Sequence, residues 1–400
     1  MSVPLEPDTS VPAVVLHLGD HGSLGIARSL GRLGVAVHGV SERRTPAARS
    51  RWFRTVSPWS GTVAALQSVG HRLGGRPALV PTGDAAALFV DEHADALDAA
   101  FRFPRQAPGV ARKLASKRGL YELCLEHDVP TPLTVFPQSR DDVATYDGPF
   151  PVMVKAVDTA AADQRGVERM VPAFDSAEAL AAYDRLEDPV RPNLMLQELI
   201  PGGPEQVWMF NGYFDADAEC RFAATGRKLR QCPPATGSTS LGQCVPNGDV
   251  DHLTRRLMKA LGYRGILDCG YRYDPRDGQY KLLDVNPRVG ATFRLFVGRG
   301  GLDVARALYL DLTGQPIPVD TVAPGRRWLV ESNDLVSFAR TSELRLIPWL
   351  QSLRGVQETA WWATDDPLPF LAMAGATVRR AMARPGPEPA GAPHRRDRRR

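Results

Sequence analysis

The sequence predicts a mixed α/β and α+β protein, in which a parallel α/β domain precedes a larger part built on a mostly antiparallel sheet. Two observations carry this prediction. Residues 11–105 alternate between short apolar runs and helix-like spacing, a pattern typical of parallel strands joined by helices. After residue 190, by contrast, β-type segments follow one another with a helix-like interruption at 249–261.

Composition and charge bound the class of protein. The chain has 400 residues, 43% of them apolar and 24% charged, which is typical of a globular protein with two or three domains. The net charge of +4 equals that of the last six residues, RRDRRR, so the folded body is close to neutral and no specific nucleic-acid partner is expected. The chain lacks an apolar run of ~18 residues, a CxxC pair and a basic signal-peptide start, so we expect a cytoplasmic protein without a membrane partner.

The N-terminal domain is expected to span residues 11–108, after a flexible N-terminus at 1–10. Apolar runs in AVVLHLG, VAVHGVS and PALVP predict three strands, and SLGIARSLGRLG has helical spacing. The turn GDHGSLG loosely resembles a dinucleotide-binding loop, but it reads GxxGxxG, and the acid expected after the second strand is at best Glu42. The alternative is a glycine-rich turn that lets helix and strand pack closely.

Residues 109–190 are expected to form a small lobe. VARKLASKRGLYELCLEHDVPTP has helical spacing and ends at prolines. PFPVMVKAV and VERMVPAF predict strands, and the small residues of DTAAADQRG between them predict an irregular loop. SAEALAAYDRL predicts a helix with Ser176 as its N-cap.

Residues 191–318 are expected to form a large lobe, and its strands are predicted by NLMLQELI, EQVWMFNGYF, RFAATGRKLR, YRGILDCGYRYD and QYKLLDVN. The turn PRDG joins the last two strands as a hairpin. A C-terminal extension is expected at 319–385, with a helix over LPFLAMAGATVRRAMAR; a substrate pocket and a homodimer interface are the two alternatives for its role. Residues 386–400 are expected to be a disordered Arg-rich tail.

The stretch KLLDVNPRVG carries the strongest chemical signal. Alternate side chains of a strand share a face, so one face is expected to present Leu282, Asp284, Asn286 and Arg288, and the core face Leu283 and Val285. A carboxylate and an amide two residues apart supply oxygen ligands suited to Mg²⁺, and a neighbouring arginine suits a phosphate group.

The hairpin strengthens this interpretation, because it places Asp268 opposite Asp284 and Asn286. Two acids and an amide on adjacent strands form a metal site better than a packing surface, since buried unpaired carboxylates are costly. A polar surface strand is the alternative.

At these residues the chain resembles the ATP-grasp superfamily of ADP-forming ligases, whose signature is an acid on one strand and [E/D]-x-N-x-R on the next, as in LLDVNPR. The resemblance covers about residues 110–315 and implies a pre-ATP-grasp domain followed by a two-lobed ATP-grasp domain. It also implies the reaction: a small-molecule carboxylate is activated as an acyl phosphate with ATP and Mg²⁺, or Mn²⁺, and joined to an amine, releasing ADP and phosphate.

The resemblance assigns roles to individual residues. For ATP it implies Lys117 and Lys155 on the phosphates, the backbone of Ala160 and Ala161 in the covering loop, Gln197, Glu198, Leu199 and Ile200 at the adenine, and Glu205 at the ribose. For catalysis it implies Lys228, Arg230 and Arg288, and for the metal Asp268, Asp284 and Asn286. Gly290, Thr292 and Arg294 are implied as substrate contacts.

Two features depart from the family pattern. The phosphate-covering loop has one glycine, Gly166, and Gly270 stands where many relatives carry the first metal acid, so that role falls to Asp268. The alternatives are a catalytically weak ATP-binding module and a carboxylase-like or carbamoyl-phosphate-synthetase-like enzyme with the same ATP site. A Rossmann oxidoreductase is a more remote alternative.

Overall fold

The structure, a computed structural model, describes residues 6–233, 237–340 and 345–383; the predicted Arg-rich tail lies outside the described residues. Among the helices of these ranges, none combines the length and the apolar character that crossing a membrane requires. The described ranges contain three β-sheets, of four, seven and four strands.

The N-terminal domain contains a parallel four-stranded sheet, with the strand order β3-β2-β1-β4. In chain order its elements are β1 (Ala13–Leu16), α1 (His21–Arg32), β2 (Val37–Ser41), β3 (Phe53–Pro58), α2 (Val63–Leu73), β4 (Ala78–Pro81), α3 (Asp84–Glu92) and α4 (Ala94–Asp98). The predicted α/β domain is confirmed. Sequence analysis missed β3, because this edge strand exposes most of its side chains and therefore lacks an apolar run.

The small lobe is built on an antiparallel sheet with the strand order β5-β8-β6-β7. Its elements are α5 (Val110–Ala115), α6 (Lys117–Glu126), β5 (Thr134–Val135), α7 (Arg140–Ala144), β6 (Val152–Ala156), α8 (Thr159–Arg165), β7 (Met170–Ala173), α9 (Ser176–Leu186) and β8 (Leu194–Glu198). The segment NLMLQELI therefore supplies a strand of this smaller sheet and does not join the large one.

Three local predictions in the small lobe are wrong. The helix predicted from residue 110 onward is interrupted at Ser116, which is extended and accepts a hydrogen bond from the Gly119 backbone N–H at 3.3 Å, so it caps α6. The segment DTAAADQRG contains α8 where a loop was expected, because alanine favours helix when no glycine interrupts it. The N-cap of α9 is Asp175, one residue before the predicted Ser176, and its carboxylate accepts from the Glu178 N–H.

The large sheet has seven strands in the order β13-β12-β9-β10-β11-β14-β15, and its pairs are antiparallel except β14–β15. Its region comprises β9 (Val207–Phe214), β10 (Cys220–Cys232), β11 (Ser238–Cys244), α10 (Gly248–Ala260), β12 (Gly265–Asp274), β13 (Gln279–Asn286), α11 (Val304–Leu312), β14 (Arg327–Leu329), α12 (Glu331–Arg340), α13 (Leu346–Ser352), β15 (Val356–Thr359) and α14 (Leu368–Ala383). This confirms the mostly antiparallel sheet, and the C-terminal extension lengthens it by two strands.

A shared core joins the N-terminal domain to the large lobe. Ile26 and Leu30 of α1 belong to the same buried apolar cluster as Phe293, Leu308 and Tyr213 of the large lobe. Burying apolar surface between the two parts stabilises them as one unit, by about 25 cal/mol for each Å² removed from water. The carboxyl edge of the parallel sheet is thereby held against the loop that follows β13.

Candidate active site

The hairpin of β12 and β13 brings the three predicted metal ligands together. Asp268 pairs with Asn286 across the two strands, and Gly270 pairs with Asp284. The Asn286 amide nitrogen lies 2.9 Å from Asp284 Oδ2 and 3.4 Å from Asp268 Oδ2. These three side chains therefore form one cluster, which we call the acidic face.

A β-bulge changes the pattern of faces that the sequence predicts for β13. The register shifts between Gly270 and Tyr271, so that Tyr271 pairs with Leu282 and no partner opposes Leu283. Leu282 consequently packs in the core with Val285, and Leu283 is half-buried. The expectation that Leu282 shares the face of Asp284 and that Leu283 lies in the core is wrong, although the positions of Asp284 and Asn286 are unaffected.

Burial makes the acidic face receptive to a cation. It raises the pKa of the Asp268 carboxyl; the guanidinium of Arg288 opposes this shift, and the neighbouring Asp284 adds to it. A partly desolvated carboxylate close to a second carboxylate is stabilised by a positive ion. Two carboxylates and an amide supply the oxygen ligands that Mg²⁺ and Mn²⁺ take, so the donor set fits a divalent cation.

Asn211 of β9 is a polar residue of this region that sequence analysis missed. It pairs directly with Asp268 across β9 and β12, it is fully buried, and neither atom of its amide has a hydrogen-bond partner among the described residues. The proximity of the amide acts to lower the pKa of Asp268. The available signal was an asparagine inside the otherwise apolar strand VWMFNGYF.

Three lysines converge on the acidic face from other elements. Lys155 of β6 donates to Gln197 Oε1 at 2.6 Å, and burial lowers the pKa of its ammonium to about 8, with the charge of Lys117 acting in the same direction. Burial also lowers the pKa of Lys228 on β10, while the carboxylates of Asp268 and Asp284 oppose that shift. Cations held this close together favour an anion between them.

The predicted adenine hinge, residues 197–200, connects β8 to the large lobe. The Ile200 carbonyl accepts from Arg272 Nε at 3.0 Å, whereas its backbone N–H has no hydrogen-bond partner in the described part of the chain. The Leu199 N–H donates to the Pro151 carbonyl at 3.0 Å. An unpaired N–H at this position can donate a hydrogen bond to a purine ring nitrogen.

Two glutamates, Glu198 within the hinge and Glu205 after it, make polar contacts with neighbouring segments. The Glu198 carboxylate accepts from Arg276 at 2.6 Å and from the Leu133 backbone N–H at 3.3 Å, and the Glu198 N–H donates to the Leu133 carbonyl at 2.8 Å. Glu205 is exposed, accepts from the Gly203 N–H at 3.0 Å, and lies close enough to Arg272 to stabilise its positive charge.

The chain is similar in sequence to a curated ligase. The chain is 26% identical over 284 residues, covering 66% of the chain and 67% of the relative, to D-aspartate ligase from Enterococcus faecium (strain Aus0004). No protein-family model matches the sequence.

Several solved structures are similar to this chain in fold. An L-amino acid ligase from Bacillus licheniformis matches with a TM-score of 0.60 at 14% identity, over 80% of this chain and 79% of that one. A carboxyaminoimidazole ribonucleotide synthase from Aspergillus clavatus complexed with ATP matches with a TM-score of 0.60 at 13% identity, over 80% and 81%. A biotin carboxylase from Campylobacter jejuni matches with a TM-score of 0.60 at 13% identity, over 77% and 72%.

The chain has the ATP-grasp fold, which these solved structures share. The small antiparallel sheet, which holds Lys155, and the mostly antiparallel large sheet, which holds the acidic face, correspond to the two lobes of the ATP-grasp fold. The parallel sheet ahead of them corresponds to the pre-ATP-grasp domain.

One departure from the ATP-grasp pattern is the segment that was expected to cover the phosphates. It contains α8, and the Ala161 N–H, near the start of that helix, donates to the Asp158 carboxylate at 3.1 Å. The Ala160 backbone lies in the first turn of the same helix. Asp158 therefore already engages part of the backbone that the sequence assigned to a phosphate.

Arg230 and Arg294 occupy buried ion pairs. Arg230 binds Asp334 of α12 through two N–H groups at 2.8 Å, and a β-bulge lies between Lys228 and Arg230 on β10. Arg294 binds Glu358 at 2.7 Å and Asp303 at 2.5 Å. The catalytic role predicted for Arg230 and the substrate contact predicted for Arg294 stay predictions; the partner carboxylates already accept from much of the donor capacity of both guanidinium groups.

The loop after β13 joins the acidic face to the pre-ATP-grasp domain. Arg288 donates to Asn286 Oδ1 at 3.1 Å and to Asp84, the first residue of α3, at 2.6 Å. Gly290 lies directly against Asp268, where a Cβ atom would come within 2.3 Å of Asp268 Cγ. Thr292 is half-buried and precedes the short 3-10 turn Phe293–Leu295.

Proposed function

We propose that the chain is an ATP-dependent, ADP-forming carboxylate–amine ligase. A carboxylate oxygen of the first substrate attacks the γ-phosphorus of ATP, the bond from that phosphorus to the β–γ bridging oxygen breaks, and ADP leaves. The amine of the second substrate then attacks the acyl phosphate, loses a proton and displaces phosphate, which forms the amide. The observation that carries this proposal is the acidic face of Asp268, Asp284 and Asn286, opposed by Lys155 and Lys228.

Asp268, Asp284 and Asn286 would hold Mg²⁺, or Mn²⁺, through their oxygens. When bound, the cation neutralises phosphate charge as the phosphoryl group is transferred. The side chains of the protein position the two substrates and stabilise the charge of the transferred phosphoryl group. Phosphoryl transfer needs no protein nucleophile.

The nucleotide is placed by residues of both lobes. Lys117 and Lys155 contact the α- and β-phosphates, and the Gln197 amide orients the Lys155 ammonium. The backbone of residues 198–200 binds adenine through the unpaired Ile200 N–H, and Glu205 binds the ribose hydroxyls. Lys228, whose charge interacts with Asp268 and Asp284, contacts the transferred phosphoryl group or the substrate carboxylate.

We propose an α-amino acid as the carboxylate substrate. The names of D-aspartate ligase and L-amino acid ligase, two of the proteins that the chain is similar to, specify such substrates for those enzymes. Aspartate of either configuration is therefore the first substrate to test, and bicarbonate is the informative competitor because carboxylases share the fold.

The test measures ADP release by the full chain with MgATP, candidate carboxylates and hydroxylamine. Hydroxylamine is a small amine that converts an acyl phosphate to a coloured hydroxamate. We expect ADP release that depends on an amino acid and an equal amount of hydroxamate. ADP release with bicarbonate alone would contradict the ligase proposal, as would absence of turnover with every amino acid.

Asp284→Ala is expected to lower the turnover rate at least about 100-fold, because it removes a carboxylate that would hold the divalent cation beside the phosphates. Asp249→Ala is the matched control, since Asp249 is an exposed acid in the first turn of α10. Circular dichroism establishes that both variants fold. Full activity in a folded Asp284→Ala protein would contradict the site assignment.

A further inference from the structure

A large groove lies between α14 and the N-terminal domain, apart from the acidic face. Its volume is ≈ 1110 Å³. One wall is α14, and the other is formed by β3 and the segment that follows β2, with charged lining residues Glu42, Arg43, Arg44, Arg49 and Arg379. We call it the basic groove.

The charge of the basic groove is uncompensated. Four exposed arginines and one glutamate line it, and none of the four guanidinium groups has an ion pair or a hydrogen bond with another described residue. Elsewhere, arginines such as Arg28 and Arg230 bind carboxylates. Unpaired arginines around a concave surface favour an anionic ligand, because each can bind a carboxylate or phosphate with two parallel hydrogen bonds.

The helical wall of the groove is apolar along its length and basic at one end. The lining residues of α14 recur at helical spacing on one face: Leu368, Leu371, Ala372, Gly375, Ala376 and Arg379. Leu368 is 56% exposed and Leu371 57%, and Val56 on the opposite wall is 40% exposed. From the first to the last of these positions the helix rises about 16 Å. The ligand that fits is elongated, with an apolar part and an anionic part.

The groove and the acidic face lie along the same edge of the parallel sheet. Asp84, just after β4, binds Arg288, and Gly22, at the start of α1 after β1, lies against Ala291. The segment after β2 is the next one along this carboxyl edge, because β2 neighbours β1. The segment after β2 is therefore one strand position beyond the residues that contact the loop after β13. Ligands of open parallel sheets bind outside this edge.

We propose that the basic groove holds an anionic, partly apolar extension of the amine substrate. The inference rests on the proposed ligase function, which requires the substrate carboxylate at the acidic face and leaves the more distant position to the amine substrate. That substrate is then larger than a free amino acid and carries a phosphate or carboxylate beyond an apolar portion. The C-terminal residues of the chain are unsuited to the groove, because RRDRRR has the same sign of charge.

The test uses n-octyl phosphate, which joins an apolar chain to a phosphate, as a probe for isothermal titration calorimetry with the full chain. We expect saturable binding that Arg44→Glu/Arg379→Glu weakens at least tenfold. Arg72→Glu/Arg191→Glu is the matched control, because both residues are exposed and lie outside the groove. Equal binding of neutral n-octyl glucoside, or equal loss in the control, would overturn the anionic assignment.

Further measurements separate the groove from the ligase proposal and from other occupants. With hydroxylamine as the amine, the groove variant is expected to keep wild-type turnover, because this small amine does not reach the groove. If the protein shows no turnover with any carboxylate but binds the probe, the ligase proposal fails and the anionic groove stands. Binding to phosphatidylglycerol vesicles, or dimerisation, that the same charge reversal abolishes would overturn the groove as a substrate site.

Discussion

At the scale of single residues, the site depends on polar groups buried with few partners. Asn211 is fully buried opposite Asp268, and its amide atoms lack hydrogen bonds among the described residues. An unsatisfied buried amide costs about 1–3 kcal/mol. Such a cost is typical of residues kept for function, since stability alone would favour an apolar side chain.

Asn211→Leu, which keeps the branching at Cγ and removes both polar atoms of the amide, is therefore expected to raise the melting temperature while it weakens divalent cation binding about 10- to 100-fold. Thermal unfolding measures the first effect. Electron paramagnetic resonance of Mn²⁺ in the presence of ADP measures the second without turnover. Unchanged Mn²⁺ affinity would remove Asn211 from the site.

Lys155 predicts a pH dependence of nucleotide binding. Its pKa is lowered to about 8, mainly by burial, so it is a cation below pH 8 and becomes neutral above it. Affinity for ADP is expected to fall about tenfold between pH 7 and pH 9, because the nucleotide binds the protonated form. Calorimetric titration with ADP at several pH values between 7 and 9 measures how the affinity changes with pH.

Lys155→Arg is the matched control for this prediction, because arginine keeps its charge throughout that pH range. We expect its affinity for ADP to be flat from pH 7 to pH 9. A fall of the same size in this variant would assign the pH dependence to another group.

At the scale of elements, the break between α5 and α6 decides where Lys117 lies. Ser116 leaves the helix and caps α6, which places Lys117 in the first turn of that helix. The apolar spacing of residues 110–126 continues through the break and therefore predicted one helix. A serine can cap a helix only when its own backbone is extended, as it is at Ser116 (φ −87°, ψ 129°). That conformation depends on packing in the surrounding lobe, so the cap could not be predicted from the serine alone.

Ser116→Ala is expected to destabilise the protein by about 1 kcal/mol and to raise the KM for ATP, because loss of the cap frees the turn that carries Lys117. Thr62→Ala is the matched control, since Thr62 caps α2 in the same way, accepting from the Ala65 N–H at 3.3 Å. Equal KM values in the two variants would show that the cap acts on stability alone.

At the scale of the whole molecule, the C-terminal extension ties the large sheet to the N-terminal domain. It supplies β14 and β15 and then returns to α1, where Arg28 binds Asp366 at 3.0 Å with side-chain exposures of 4% and 1%. Ser50 also donates to Asp366, at 2.7 Å. The relative position of the two domains, and with it the contact of Arg288 with Asp84, depends on this buried pair.

Arg28→Met is expected to destabilise the protein by about 3–5 kcal/mol, because it leaves the Asp366 carboxylate buried without its counter-ion. Arg32→Met is the control: its pair with Asp365 is about one-third exposed and is expected to contribute at most about 1 kcal/mol. Urea denaturation measures both. The double variant Arg28→Met/Asp366→Leu should regain much of the loss, and its failure to do so would argue against an unpaired charge as the cause.

The features that depend on local pattern could be predicted from the order of the amino acids alone. Apolar periodicity predicted the parallel strands, turn residues predicted the hairpin, and the hairpin register placed Asp268 beside Asn286. These features are local because a strand's period and a short turn fix which side chains face each other.

The pairing of charged groups and the assignment of each strand to a sheet depend on the packing of distant segments and could not be predicted from local pattern. Arg230 meets Asp334, and Arg294 meets Glu358, across separations of 104 and 64 residues. Likewise, β8 joins the smaller sheet, and Asn211 becomes buried without a partner because β9 is a central strand. Such pairings depend on how distant segments pack together, and the pattern within a single segment contains no information about its distant partner.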